Sequence, residues 1–598
     1  MLINRRIVAI PLVLVVSFLV ASTSSFAQTV IWAGGSGPWF SSPSNWSLTI
    51  GGFPVLPPNG PGITANIGTA SGLGPITGTV TLNGPVNLPN GISLGNGAAG
   101  GLIVNSAANT LTAGTMDVGF SGPGTSTLTI SSGGVVAGNY VYLGVLAGSS
   151  GSATVSGAGS QWNVSTQFLV GDNGQGSLSI QTGGAVTSNN AIVGDFSGSS
   201  GSASVSGAGA KWTDSGALTI GASGSGHLTI QSGGNVRSAQ GNIGTGASSG
   251  SVLVTGAGSQ WAVTGTFLDV GFGGSGSLTI QNGATVNITN STGGLGTGFI
   301  GTNGGTGAVT VAGAGSQWNM DSLEVGSGNG SLNIQNGGLV NAGSTFIGTF
   351  GGSSGTTSVS GANSQLTGYQ LDVGYQGQGS LAITAGGQVN DVIGFVGATS
   401  GSVGNVLVDA GTWTNSALLD IGVGGTGVVT VKNGGSLSAG SIEVGGGGSL
   451  NIDPAIVDVS GGFILDSGGI LSLDIAGITP GLISQLDISG FGLFEGTIDL
   501  DFVNGFAPTT GESFDLINAL GANFSNATIQ IEGLAPGFQY SDSFFNGQFT
   551  LVADNNGVST TTPEPGSMWL AATALGVLSL TSLVKKLKSE SQPAKGTL

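Results

Sequence analysis

Cysteine is absent from the 598 residues, histidine occurs once, and charged residues make up only 6%, against ~25% in ordinary globular domains. Without cysteine, a disulfide scaffold and a thiolate metal site are both excluded. Positive charge is the scarcest commodity. Six of the nine cations lie in the terminal segments (Arg5, Arg6, Lys585, Lys586, Lys588, Lys595). From Gln28 to Thr562 only Lys211, Arg237 and Lys432 remain, three cations against 25 acids, a net charge of −22. That body is no nucleic-acid binder, which needs many cations to displace phosphate counterions. Glycine, by contrast, supplies 119 residues, nearly three times the usual ~7%. No Gly-X-Y period is present, which excludes collagen. With 39% hydrophobic residues the body can bury a core, so charged disorder does not fit. A repetitive β architecture is what remains.

The two ends read as addresses. Residues 1–27 have the form of a secretory signal peptide: Arg5 and Arg6, an apolar stretch Ile7 to Val20, then Ser25-Phe26-Ala27 with cleavage by signal peptidase after Ala27. The apolar stretch is 14 residues, short of the ~17–25 of a spanning helix. Ile7-Val8-Ala9 fits a twin-arginine export signal poorly. At the other end, residues 556–567 form a stiff linker in which each proline biases its predecessor to an extended conformation. Residues 568–584 follow as an apolar 17-residue run long enough to span a membrane. Residues 585–598 are basic, and Lys585, Lys586 and Lys588 act as a stop-transfer cluster that keeps this tail cytoplasmic.

Pro563-Glu564-Pro565, an apolar helix and a short basic tail, in that order at the extreme C-terminus, resemble the three-part sorting signal of the PEP-CTERM family. The resemblance covers about the last 36 residues. It implies that an exosortase-type membrane protease recognises the segment and cuts near the motif, that the helix is a transient inner-membrane handle, and that the protein is associated with exopolysaccharide at the cell surface or outside the cell. A permanent single-pass anchor is the plainer alternative.

Between the ends lies an array. Gly-Ser-Leu-Thr-Ile-Gln recurs around Leu178, Leu228, Leu278 and Leu332, with weaker copies at Leu128, Leu381 and Val429, at spacings of 50, 50, 50, 54, 49 and 48 residues. A second string, Ser-Gly-Ala-Gly-Ser-Gln-Trp, recurs around Trp162, Trp212, Trp261 and Trp318, decays at Leu366 and partly returns at Trp413. Each unit has two halves that open on an apolar-Gly pair, which makes 14 half-units of about 25 residues. Alternation of apolar and polar residues marks strands with one buried face, and a half-unit fits three of them, for example 268–270, 277–281 and 284–288.

These features predict an all-β chain: a right-handed parallel β-helix of about 14 rungs over residues 101–455, roughly 65–70 Å long at ~4.8 Å per rung. An N-terminal β cap is expected over 28–100, a C-terminal β-domain over 456–555 and one transmembrane helix at the C-terminus. A β-propeller accounts less well for the two-half unit. The repeats also resemble those shared by autotransporter passengers and PEP-CTERM proteins, which implies a β-helical surface protein without a specific ligand.

Candidate chemistry is sparse. Trp162, Trp212, Trp261 and Trp318 would recur every second rung, a spacing open to stacking of an extended sugar chain. Strand parity favours the core instead, because Trp162 shares a face with Val164, Trp261 with Val263 and Trp318 with Met320, and Leu366 substitutes in the fifth copy. Asp214, on the face of Trp212, dissents. Asp117, Asp269, Glu324, Asp372, Asp420 and Glu443 each precede an apolar-Gly pair and are expected to form an outward, solvated acidic face. Calcium ligation fits them less well, since neighbours two rungs apart share no ion. No cofactor or metal is expected. A lyase would need a base where the body has three scattered cations, His227 takes an outward position filled elsewhere by serine, and pairing of carboxylates for hydrolysis is left open by the sequence. The expectation is a secreted, non-enzymatic surface or matrix structural protein, with a polysaccharide-binding adhesin as the alternative and a β-helix lyase or hydrolase behind it.

Overall fold

The computed structural model describes strands within residues 28–81, then residues 82–289 and 296–557 continuously. Ala27, the sorting motif Pro563, Glu564 and Pro565, the 568–584 segment and Lys585, Lys586 and Lys588 lie outside the described residues. Among the described residues there is no helix long and apolar enough to cross a membrane.

The architecture is a parallel β-solenoid of about 17 turns. A turn carries three strands, as in Phe267–Phe272, Ser275–Gln281 and Thr285–Ile288. Each strand pairs in parallel with its counterpart one turn later; Ser275–Gln281, for instance, runs in register with Thr306–Ala312. Corners need a left-handed backbone. At Gly271, φ is 85° and an added Cβ would lie 2.3 Å from the carbonyl oxygen of Thr306, so only glycine fits there.

Contacts divide the chain into two compact units. The first extends to Leu371 and takes in Tyr375–Leu381 and Gly387–Val389. It opens with Gln28–Trp32, antiparallel to Trp46–Leu48 and parallel to Ile63–Ser71. Parallel stacking is already under way before residue 101, because Ile63–Ser71 pairs with Gly91–Asn96 and Gly78–Thr81 with Gly100–Val104. The second unit comprises Asp372–Gly374, Ala382–Gly386 and the chain from Asn390 onward. Here the ladder continues past residue 455, through Ile470–Ile475, Thr497–Phe502 and Thr528–Glu532. The count of about 14 rungs is therefore corrected to about 17. The reason is physical: Leu471-Ser472-Leu473-Asp474-Ile475 loses the glycine string but keeps the alternation, with Leu471, Leu473 and Ile475 buried. The solenoid ends on an antiparallel hairpin, Tyr540–Phe545 with Gln548–Ala553, laid against Ser513–Asn523. Phenylalanines fill this end; Phe494 stacks on Phe524 at 4.4 Å and Phe502 meets Phe514 edge-on at 5.6 Å.

Why the sequence repeats every 50 residues when one turn takes about 25 is answered in the core. Down one inward column of the first unit the register reads Leu128, Ala153, Leu178, Ala203, Leu228, Val252, Leu278, Val309, Leu332. A second column alternates Val136, Trp162, Val186, Trp212, Val236, Trp261, Val286, Trp318. A turn with tryptophan thus carries the small residue in the other column, and a turn with leucine carries valine. A third column completes the fit: Leu218, Gly241, Leu268, Gly298, Leu323, Thr345. The indoles of Trp261 and Trp318 lean over the preceding turn, where the third-column residue is glycine. A Cβ on Gly241 would meet Trp261 Cζ2 at 2.8 Å, and one on Gly298 would meet Trp318 Cζ2 at 2.9 Å. The chemical repeat is therefore two turns, set by close packing rather than by strand geometry.

Candidate functional site

Trp162, Trp212, Trp261, Trp318 and Trp413 are all 0% exposed, so stacking of a sugar on this column is excluded and the indoles are core. Burial obliges each indole N–H to find an acceptor, and the preceding turn decides whether it does. Trp212 donates to Ser188 Oγ at 3.0 Å and Trp261 to Ser238 Oγ at 3.0 Å. Trp413 donates to Asp391 Oδ1 at 2.6 Å. Trp162 and Trp318 have no acceptor; the positions equivalent to Ser188 and Ser238 are Gly138 and Ile288. Asp214, the apparent misfit on the tryptophan face, is 2% exposed. Its carboxylate accepts from Ser188 Oγ and, at 2.8 Å, from the Gly216 N–H. Burial pushes its pKa up, and these two hydrogen bonds pull it back.

The expected solvated acidic face is corrected. Asp269 and Asp372 are 7% and 1% exposed, and Asp117, Glu324, Asp420 and Glu443 are half-buried. The intervening turns set large side chains beside them: Tyr142 is in register with Asp117, and Phe299 stands between Asp269 and Glu324. Hydroxyl donors compensate, with Ser93 on Asp117 at 2.8 Å and Thr302 on Asp269 at 2.6 Å. Burial raises the pKa of Asp269 to about 6, against the Thr302 hydrogen bond and with the help of Glu324. Asp172 also rises to about 6, through burial and then the charges of Asp195 and Asp117.

Among the described residues one group of carboxylates converges, Asp499, Asp501 and Glu532, with ligand atoms within 4.8 Å of one another. Asp499 is pushed up to about 6 by burial and then by its two neighbours. Three oxygens here could contribute to a hard cation, which takes ~6–8. His227 is exposed as expected, between Ser251 Oγ at 2.7 Å and Thr229 Oγ1 at 3.1 Å. Lys432 pairs with Asp409 at 3.9 Å, while Lys211 and Arg237 lie exposed in the other unit.

A groove not anticipated from the sequence runs across the second unit. Two shallow, open depressions, about 510 and 380 Å³, share Asp487 and Ser489. Five successive strands line them at one register: Thr414, Ser438, Asp458, Asp487 and Asn518. Beneath this surface two amide carbonyls, Asn415 Oδ1 and Asn518 Oδ1, are buried without a partner, and Asn415 stands on the inward face with Trp413. Asn415 is 1% exposed, and its Nδ2 is committed to Asp391 Oδ2 at 2.6 Å. Asn518 Nδ2 is likewise committed to Asp487 Oδ1 at 2.6 Å. At the groove's far end Leu520 is 85% exposed, and Phe491 lies beside the adjoining Gly521. The only sequence signal would have been the replacement of Ser and Thr by Asp at positions 458 and 487, legible once the register is known.

No family model matches the chain, and no curated protein matches it. Among solved structures, the chain is similar to the hyper-glycosylated TibA55-350 fragment obtained by TibC catalysis, at 15% identity over 76% of this chain and 100% of that one. The TM-score is 0.26, and the likeness carries no argument about what this chain does.

Proposed function

We propose that this chain is an exported, non-enzymatic structural protein of the cell surface or extracellular matrix, associated with exopolysaccharide. In this reading signal peptidase removes residues 1–27. The coil is right-handed, a C-terminal helix holds an inner-membrane intermediate, and an exosortase-type protease acts at Pro563-Glu564-Pro565. The carrying observation is the in-register stack itself. Turn after turn presents the same outward hydroxyls, Ser152, Ser177, Ser202, Ser251 and Ser277 among them, over an interior committed to packing. Such a surface is hydrated, uncharged and repetitive, which suits a filler or spacer in a polysaccharide layer.

Protease added to intact producing cells should digest the chain, and the purified protein should release neither reducing ends nor unsaturated products from the host polysaccharide. Protection of the chain in intact cells, with digestion only after lysis, would overturn the surface location. Turnover of any polysaccharide would overturn the structural role. The adhesin reading is the second one, and the groove across the second unit is the observation that favours it.

A further inference from the structure

We propose that the C-terminal linker closes the solenoid: residues 558–562 add as a last strand, antiparallel to Thr528–Glu532, and set Pro563-Glu564-Pro565 directly at the folded edge. The inference goes beyond the reading above.

An open edge calls for a cover. The terminal hairpin lies on the sheet that contains Ser513–Asn523. The other sheet ends at Thr528–Glu532, which pairs with Thr497–Phe502 and, among the described residues, with no strand beyond. Ile498 and Leu500 are fully buried, but Ile529 and Ile531, in register with them in the last turn, are half-buried. The backbone is open on the same side. Thr528 N–H donates to Gly496 O at 2.9 Å, towards the preceding turn, so alternation along the strand turns the N–H and C=O of Ile529 and Ile531 outward. Uncovered edges of this kind invite pairing, and native proteins cover them.

The chain itself supplies a fitting segment. Leu534 follows that strand by two residues, and Gly557, the last described residue, packs against it: a Cβ on Gly557 would lie 3.1 Å from Leu534 Cδ2. The chain therefore leaves the fold beside the C-terminal end of Thr528–Glu532, the entry point for an antiparallel partner. Residues 558–562 read Val-Ser-Thr-Thr-Thr, five residues for a five-residue edge, four of them β-branched and none charged. Pro563 lacks the N–H to continue a ladder and ends the strand. A second copy is disfavoured as the cover, since each body carries a net charge of −22, and the repulsion between two bodies is one that the neutral linker avoids. Once the strand is paired, residues 563–567 leave at most about 18 Å of extended chain between the fold and the apolar run at 568, so the sorting motif is presented at a fixed site. That consequence rests on the sorting reading; the pairing does not.

The test is hydrogen exchange of the full chain in detergent, read at Ile529 and Ile531, against Thr560→Pro, Thr561→Pro and a chain stopped after Gly557. Successive N–H groups of a strand face opposite sides, so one of the two prolines removes a ladder bond and the other leaves the ladder intact. Exchange at least tenfold faster is expected in the chain stopped after Gly557 and in one proline variant but not the other, with exchange over Ile470–Ile475 unchanged in all. Equal exchange in all four chains overturns the inference. So does equal acceleration by the two prolines, which is tethering without a ladder, or protection that grows with protein concentration, the mark of a second copy. Sorting is judged separately by the intact mass of the mature protein, so failure of one reading leaves the other standing.

Discussion

Trp261 and Gly241 give the sharpest handle on the two-turn core. The indole is fully buried and leans over the preceding turn, where a Cβ on Gly241 would lie 2.8 Å from Trp261 Cζ2 and 2.6 Å from Leu268 Cδ1. Trp261→Leu alone opens a cavity. Truncating a buried Trp to Ala costs ~3–5 kcal/mol, and leucine retains part of the volume, so about 2–3 kcal/mol is expected. Gly241→Thr alone drives a β-branched side chain into both contacts, and overpacking of this kind costs ~1–3 kcal/mol. The chain already contains the paired exchange: Leu366 stands at the tryptophan position, with Thr345 at the glycine position one turn earlier. The double variant should therefore be more stable than the sum of the single losses by about 1–3 kcal/mol. The assay is a double-mutant cycle by urea unfolding of the mature chain followed by circular dichroism. Hydrogen exchange over residues 225–272 localises the effect, because long repeat arrays do not unfold as a single two-state unit. Additive losses, or a double variant worse than their sum, would refute the paired packing.

The indole acceptors make a second prediction: Ser238→Ala, which leaves Trp261 N–H unpaired, should cost about 1–3 kcal/mol, whereas Ser277→Ala on the outer face should cost under about 0.5 kcal/mol. Equal effects in thermal unfolding would contradict it. A third concerns pH. Asp269 in the first unit and Asp391 in the second have pKa values raised to about 6, chiefly by burial. Folded protein therefore holds protons that the unfolded chain releases between about pH 4 and 6, and stability falls as pH rises through that window. Two pK units correspond to at most about 3 kcal/mol per group, so Tm should be higher at pH 5 than at pH 7.5, and Asp391→Asn should flatten the second unit's share. A Tm that rises from pH 5 to 7.5 would contradict the assignment.

How much of this could be read from the sequence depends on which neighbours matter. Strand positions follow from alternation within a segment, and Ser275–Gln281 and Thr285–Ile288 were legible to within a residue or two. The same parity argument placed the tryptophans inside. It failed for Asp269 and Asp372, because exposure of a side chain on the outer face depends on what the next turn sets beside it, and Phe299 is 30 residues away. The glycine-poor region after residue 455 looked like a different domain because composition changes there, yet stacking needs the alternation and not the glycine string. The groove was invisible for a related reason: Asp458, Asp487 and Asn518 share a column only through inter-turn register. Glycine abundance itself has two sources, corners such as Gly271 that require positive φ and core positions such as Gly241 that make room for an indole.

The most direct test of the account as a whole is the intact mass of the mature protein isolated from the producing organism. A chain beginning at Gln28 and ending near Pro565 is the predicted result. A mature chain that retains Lys585–Leu598 would contradict sorting, and one that retains residues 1–27 would contradict export by the route proposed.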